Sequence, residues 1–121
     1  MRYKKYDGLG SLPRRQRKAI KSMLFDGEEF VMAIDSREGR VRSKHNKKLV
    51  VTDARVFSVK KGLMRRASED YSLNDISSIQ FSKGIRKSKI RLQGTGIDDE
   101  YPAKKSHGEA FVAAVRKQIN R

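Results

Sequence analysis

Charged side chains are the residues of this sequence best able to act on a partner, and most of them are cationic. The 121 residues include 29 Lys and Arg against 14 Asp and Glu, which leaves a formal net charge of +15 at pH 7. Such a charge attracts nucleic acid, anionic lipid headgroups and acidic proteins. The alternative is a soluble protein whose many lysines serve no particular partner.

The cations are concentrated in three segments. Residues 1–24 contain eight basic and one acidic residue, residues 37–48 six and one, and residues 73–93 five and one. Residues 25–36, by contrast, contain four acidic residues and no basic one. This uneven distribution favours binding surfaces over uniform solubilisation. We predict a basic N-terminal helix with Arg14, Arg15, Arg17, Lys18 and Lys21, and a second basic patch of Lys83, Arg86, Lys87, Lys89 and Arg91.

Residues for enzymatic chemistry are scarce. The chain has no cysteine, which excludes disulfides, thiolate nucleophiles and cysteine-ligated zinc. His45 and His107 lie in a basic loop and at a helix start, and no serine stands in a nucleophile-elbow motif. The acidic cluster Asp98-Asp99-Glu100 could bind a hard cation, but such a run is more often a solvated edge or a partner for the protein's own lysines. We therefore predict no enzyme, no metal site and no cofactor.

The N-terminal residues contain no apolar segment of the kind found in secretory signals. No stretch approaches the roughly 20 apolar residues that a membrane-spanning helix needs. We expect a cytoplasmic protein that can still rest peripherally on a membrane.

Residues 1–10 are polar and basic, and we expect a flexible N-terminus. Residues 11–26 then predict a helix, with Ser11 as the N-cap and Asp26-Gly27 as the stop. Ile20, Met23 and Leu24 form a narrow apolar stripe on this helix. The stripe is expected to pack on the domain; the alternative is a basic amphipathic helix that lies on a membrane or a phosphate backbone.

From residue 29 onward the apolar period changes to two, which predicts short antiparallel strands. Two strands are joined by the turn Thr52-Asp53-Ala54-Arg55. In this turn we expect Asp53 to accept backbone hydrogen bonds and Arg55 to pair with a carboxylate or carbonyl across the hairpin. A polar strand follows, then a short turn or helical segment at 73–75, and then a strand from Ile76 that contains a bulge. The last predicted strands are 89–93 and an edge strand at 97–103. The capping box at Ser106 then opens a helix with Phe111, Val112, Val115 and Ile119 on one face.

Four segments together resemble the bacterial pleckstrin-homology-like (PH) domain family. They are DGEEFVMAI, KKLVVTDARVFSVKKG, YSLNDISSIQFSKG and SKIRLQG, and with the C-terminal helix they cover roughly 26–119. The resemblance implies an α+β, mostly β fold: a strongly bent antiparallel sheet or small barrel of about seven strands, capped by a helix at 107–120. The PH-like domain is then 27–121, and the basic helix at 11–26 is additional to it.

The resemblance also implies a non-catalytic interaction module and a place for its ligand. PH domains that bind phosphoinositides use basic residues around their first strand-turn-strand, and Arg40-Val41-Arg42 stands in a comparable place. The anionic-ligand-binding set that this implies is Arg37, Arg40, Arg42, Lys44, Lys47 and Lys48.

Three partner classes are compatible with these features. An anionic lipid surface is favoured, with Tyr3 and Tyr6 as the aromatic side chains expected to contact it. Nucleic acid is the alternative, bound through phosphates and therefore strongly salt-dependent. A protein-protein adaptor is a further alternative, in which an acidic partner docks between a strand and the C-terminal helix. We predict no small-molecule substrate.

Overall fold

The computed structural model describes residues 4–36, 47–60, 67–84 and 88–120. Within these ranges the chain forms eight strands, two α-helices and two short 3-10 helices, the latter at Leu9–Ser11 and Leu73–Asp75. The strands are β1 (Lys5–Tyr6), β2 (Phe30–Ser36), β3 (Lys47–Thr52), β4 (Arg55–Lys60), β5 (Glu69–Ser72), β6 (Ile76–Lys83), β7 (Ser88–Gly94) and β8 (Ile97–Pro102). The α-helices are α1 (Arg14–Met23) and α2 (Lys105–Ile119).

The strands form two antiparallel sheets. The first has the order β1-β2-β3-β4-β5 and the second the order β6-β7-β8, so the described residues do not form a closed barrel. The main core lies between the two sheets and α2. Its fully buried side chains are Ile34, Leu49, Val51, Val56, Ile90, Leu92, Phe111 and Val115.

A second, smaller core covers the opposite face of the first sheet. There the N-terminal segment, through Tyr6, Leu12 and Ile20, packs on Ala33, Val50, Phe57 and Val59. Strands β2 to β4 are therefore buried on both faces. This double burial explains why their sequences read as nearly continuous apolar runs rather than as a clean alternation.

Most of the predicted elements are present. The β3–β4 hairpin pairs in register from Lys47 with Lys60 to Val51 with Val56. The predicted bulge is a register shift between Ile76 and Ser78 in β6. Strand β8 is at the edge of its sheet.

Two predicted helix caps are wrong. Helix α1 begins at Arg14, and the Ser11 hydroxyl donates instead to the Gly8 carbonyl at 2.6 Å. Helix α2 begins at Lys105, one residue before Ser106, and its N-cap makes no side-chain hydrogen bond, so the capping box does not form. Helix α1 thus begins later than its predicted cap indicates, and helix α2 begins earlier than its predicted cap indicates. The short β1, which pairs with Ile34 and Ala33, has too few residues to show a period.

Candidate anion-binding surface

Helix α1 presents a row of cations on one side. At about 3.6 residues per turn, Arg14, Arg17, Lys18 and Lys21 fall along one stripe about 10 Å long, which we call the basic stripe. Arg14, Lys18 and Lys21 are exposed and Arg17 is half-exposed. Arg15 is also exposed, beside the stripe. The helix contains no acidic residue, so its outer surface is uniformly positive.

None of the five cations of α1 forms an ion pair with any residue in the part of the chain that the structure describes. Their charge is therefore available to an external anion. The predicted N-terminal helix is present over Arg14–Met23, within the predicted 11–26, and four of its five cations are exposed. Its apolar stripe is used for packing, because Ile20 is fully buried in the second core and Met23 and Leu24 lie partly buried against it.

Arg55 fastens the end of α1 to the first sheet. Its Nη2 donates to the Met23 carbonyl at 2.6 Å, its Nε donates to Glu28 Oε2 at 2.9 Å, and its Nη1 donates to Asp70 Oδ2 at 2.6 Å. Arg55 thus pairs with two carboxylates and a carbonyl as expected, but these partners lie on α1, before β2 and on β5 rather than across the β3–β4 hairpin. The residues from Met23 to Glu28 are consequently held at a fixed place on the sheet.

Within the turn before Arg55 the backbone hydrogen bonds go to Thr52, whereas Asp53 accepts its predicted backbone hydrogen bond from outside the turn. The Thr52 hydroxyl oxygen accepts hydrogen bonds from the backbone N–H groups of Ala54 and Arg55, both at 3.1 Å. Asp53 Oδ1 accepts from the Glu29 N–H at 2.9 Å and so ties the turn to the start of β2. The motif Thr-Asp-x-Arg therefore joins three parts of the fold: the hairpin, β2 and the end of α1.

Electrostatics match this geometry. Burial by itself raises the pKa of Glu28, but hydrogen bonds from Arg55 and Thr52 outweigh burial and hold that pKa below its ordinary value. Burial by itself lowers the pKa of Arg55, but hydrogen bonds to Glu28 and Asp70 outweigh burial and raise that pKa above its ordinary value. Both groups are therefore charged at neutral pH.

Phe25 lies on the outer side of this junction. Its ring centroid is 4.4 Å from Arg55 Cζ, and the Phe57 ring contacts the same guanidinium at 4.6 Å. Phe25 is 66% exposed, whereas Phe57 is fully buried. The sequence shows no pattern that marks Phe25, because it lies outside both the helix and the strand.

The predicted anionic-ligand-binding set is only partly described. Arg37, Arg40, Arg42 and Lys44 lie outside the described residues. Lys47 Nζ pairs with Glu69 Oε1 at 2.7 Å. Lys48 Nζ pairs with Asp35 Oδ1 at 2.7 Å, is buried, and lies 4.4 Å from the centroid of the buried Tyr6 ring. The side chains of Lys48, Asp35 and Tyr6 hold the N-terminal strand on the sheet. Because Tyr6 is buried, the prediction that it contacts a lipid surface is wrong, and Tyr3 lies outside the described residues.

The second basic patch is also partly paired. Arg86 and Lys87 lie outside the described residues, and Lys83 is exposed. Lys89 pairs with Glu100 at 3.6 Å, and Arg91 pairs with Asp98 at 3.1 Å. Two members of the acidic cluster thus serve the protein's own cations, as the sequence suggested. The outer face of the second sheet carries these pairs, on the far side of the main core from α1.

A tyrosine pair connects the two sheets, and sequence reasoning did not identify it. The Tyr71 and Tyr101 hydroxyls are in hydrogen-bond contact; Tyr71 also bonds Asp99, and Tyr101 bonds Glu69. Burial raises the pKa of both phenols. Glu69 also accepts from Lys47 and Ser58, and these bonds hold its pKa below the ordinary value although burial raises it.

Among the described residues no group of three His, Cys, Asp or Glu could hold a metal ion.

A shallow groove of about 290 Å³ lies between β6 and the end of α2. Its lining consists of Ser77, Ser78, Ile79, Gln80, Arg116, Ile119 and Asn120. Arg116 Nη2 donates to the Ile79 carbonyl at 2.9 Å and so closes one part of the groove.

Of the helices that the structure describes, none is both long and apolar enough to cross a membrane.

Comparison with known proteins places these features in a family. A profile of the bacterial PH domain family matches residues 21–117. The Vps36 N-terminal PH domain is a similar solved structure, with a TM-score of 0.65 and 15% sequence identity over 81% of this chain and 83% of that chain. At this identity the similarity concerns the fold alone. No curated protein matches the chain.

Proposed function

This chain belongs to the bacterial PH domain family, and from that premise we propose that it is a non-catalytic interaction module that binds anionic membrane lipid peripherally through the basic stripe of α1. PH domains in general are interaction modules that often bind lipid or protein, and the fold of this chain is of that kind. The proposed ligand is the anionic headgroup surface rather than one particular lipid.

Helix α1 supports the proposal because it differs from the other two basic segments, in which four of the five described cations are paired. The five cations of α1 have no ion-pair partner within the described ranges, whereas Lys47, Lys48, Lys89 and Arg91 are each paired with a carboxylate. Each basic residue near an anionic membrane contributes about 1 kcal/mol. The four cations of the stripe thus provide useful affinity without a dedicated pocket. Arg37, Arg40, Arg42 and Lys44 of the originally predicted set remain proposed contributors to the same binding.

A sedimentation experiment tests this proposal. The protein is mixed with phosphatidylcholine vesicles and with vesicles that also contain phosphatidylserine, at low and near-physiological salt. The test variant carries Arg14→Gln, Lys18→Gln and Lys21→Gln. The matched control carries Lys104→Gln, Lys105→Gln and Lys117→Gln, which removes three exposed cations from α2 and the residue before it.

We expect binding to the phosphatidylserine vesicles alone, retained in the control and reduced at least tenfold in the test variant. Equal losses in both variants would show that net charge, and not the stripe, determines binding. If duplex DNA competes the protein off the vesicles at physiological salt, the nucleic-acid alternative replaces the membrane proposal.

A second candidate function is docking of an acidic peptide in the groove between β6 and α2. The groove favours it because β6 is an edge strand of its sheet and Arg116 lies on the helix side. Selection from a displayed peptide library, repeated with a Ser78→Trp variant that fills the groove, tests this function. Enriched acidic peptides that bind the unmodified protein but not the variant would support it, and peptides that bind both equally would exclude the groove.

A further inference from the structure

Phe25 is the exposed large hydrophobic side chain among the described residues. Single apolar side chains on a protein surface are common and need no explanation by themselves. Phe25 differs from such a residue in how firmly it is held and in what lies beside it.

The first difference is preorganisation. The Phe25 N–H donates to Glu28 Oε1 at 2.9 Å, and its carbonyl accepts from the Glu28 N–H at 3.0 Å. Gly27, with φ +83°, supplies the left-handed residue that this tight turn needs. One face of the ring lies on Arg55, whose guanidinium also contacts the buried Phe57 ring. The ring is thus held in place by a turn and a cation–π contact while most of its surface faces solvent.

The second difference is the neighbourhood. Phe25 is two residues beyond the end of α1 and follows Lys21, the last cation of the basic stripe, by four residues in the chain. An exposed aromatic ring next to unpaired cations is the combination that interfacial membrane-binding segments use. The cations attract the anionic headgroups, and the ring removes its apolar surface from water at the boundary with the acyl chains.

We propose that Phe25 is a membrane-inserting residue: its ring enters the headgroup–acyl boundary of an anionic bilayer while the basic stripe binds the headgroups. The inference rests on the proposed function and adds to it a depth, an orientation and a named contact. Stacking on nucleic-acid bases is the competing use of an exposed ring. It is disfavoured here because such surfaces use several aromatic side chains in succession, and α1 contains none.

The chain contains no tryptophan, so a Phe25→Trp variant carries a single fluorescent reporter at the proposed insertion point. Tryptophan retains the contact with Arg55, since an indole is the best ring for a cation–π interaction. The control is Gln80→Trp, which places the reporter at an exposed position on the second sheet. Each protein is titrated with phosphatidylcholine vesicles that contain phosphatidylserine, and then with the same vesicles made with brominated acyl chains.

We expect the Phe25→Trp emission to shift to shorter wavelength and to be quenched by the brominated chains, while Gln80→Trp shows neither change. A Phe25→Ala variant should partition onto the vesicles about tenfold more weakly, from the transfer free energy of a buried phenylalanine side chain. Its circular dichroism and thermal unfolding are compared with those of the unmodified protein. A Phe25→Leu variant, which keeps apolar bulk, should recover most of the partitioning.

Two results would overturn the inference. If Phe25→Trp sediments with the vesicles but its emission does not change, the protein binds membranes without inserting this residue, and only the inference fails. If the emission is unchanged by vesicles and quenched by single-stranded DNA, the ring stacks on bases. Failure of every variant and of the unmodified protein to sediment would instead reject the proposed function itself.

Discussion

Arg55 donates two hydrogen bonds to the Glu28 carboxylate, from Nε to Oε2 at 2.9 Å and from Nη2 to Oε1 at 3.2 Å. Arg55 begins β4, and Glu28 lies in the turn between α1 and β2, so one bidentate pair joins the basic helix to the central hairpin. The pair is almost completely removed from solvent, with the Glu28 side chain only 2% exposed. The surface that we assign to lipid binding thus depends on a buried ion pair.

Replacing Arg55 with alanine should therefore destabilise the whole domain. The substitution leaves Glu28 buried without its cation, removes the bond to the Met23 carbonyl and removes the support beneath Phe25. We expect the free energy of unfolding in urea to fall by about 3 kcal/mol. Arg55→Lys should recover only part of this loss, because an ammonium group cannot form the bidentate contact. An Arg55→Ala variant with unchanged stability would contradict the role given to this pair.

Stability should decline below about pH 4.5. The pKa values of Glu28 and Glu69 are lowered in the folded protein from the ordinary value of 4.5. A lowered carboxyl pKa contributes stability that is fully present above the unfolded-state pKa and is lost as pH falls through the folded-state pKa. The measurement is urea unfolding from pH 7 to pH 3. The difference in stability between the unmodified protein and Glu28→Gln should be largest near pH 7 and should narrow below pH 4.5; a difference that stays constant would exclude Glu28 as a contributor.

Lys48 should matter more for folding than for binding. Its ammonium pairs with the buried Asp35 and lies on the Tyr6 ring, so Lys48→Met removes one half of a buried ion pair. We expect a loss of about 3 kcal/mol in the free energy of unfolding. Vesicle binding by the folded fraction should be nearly unchanged. A stable Lys48→Met variant with strongly reduced vesicle binding would return Lys48 to the ligand-binding set.

Gly94 should tolerate no side chain. A Cβ atom at this position would lie 1.8 Å from the Asp75 carbonyl oxygen, which is backbone and cannot move aside. We expect Gly94→Ala to be at least about 3 kcal/mol less stable or to fail to fold. Gly10→Ala is the matched control, because nothing lies within 4 Å of its Cβ position. Equal thermal unfolding of the two variants would refute the close approach of β7 to the Leu73–Asp75 turn.

Much of the fold was predictable because it depends on local patterns. The apolar residues of β3 and β4 flank a short polar turn, and Phe111, Val112 and Val115 recur at helical spacing. Both patterns indicate their elements without knowledge of tertiary contacts. The two-residue β1 offers no period at all, and it exists because it completes the edge of the first sheet beside β2.

The candidate surface was less predictable because it depends on which charges meet. From the sequence alone, Lys47 and Lys48 are cations that an external anion could bind. In the fold, strand register places them beside Glu69 and Asp35. The number of charged residues in a segment likewise does not show that the cations of α1 stay unpaired. The importance of Phe25 follows from its exposure and its contact with Arg55, which is distant in sequence.

Membrane binding through α1 is tested most directly by comparing the vesicle affinities of two variants. One carries Arg14→Gln, Lys18→Gln and Lys21→Gln, and the control carries Lys104→Gln, Lys105→Gln and Lys117→Gln. Both variants lose three exposed positive charges, so non-specific attraction falls equally in each. We expect at least tenfold weaker binding to phosphatidylserine vesicles for the α1 variant and little change for the control. Equal affinity in the two variants would contradict the assignment of the membrane-binding surface to α1.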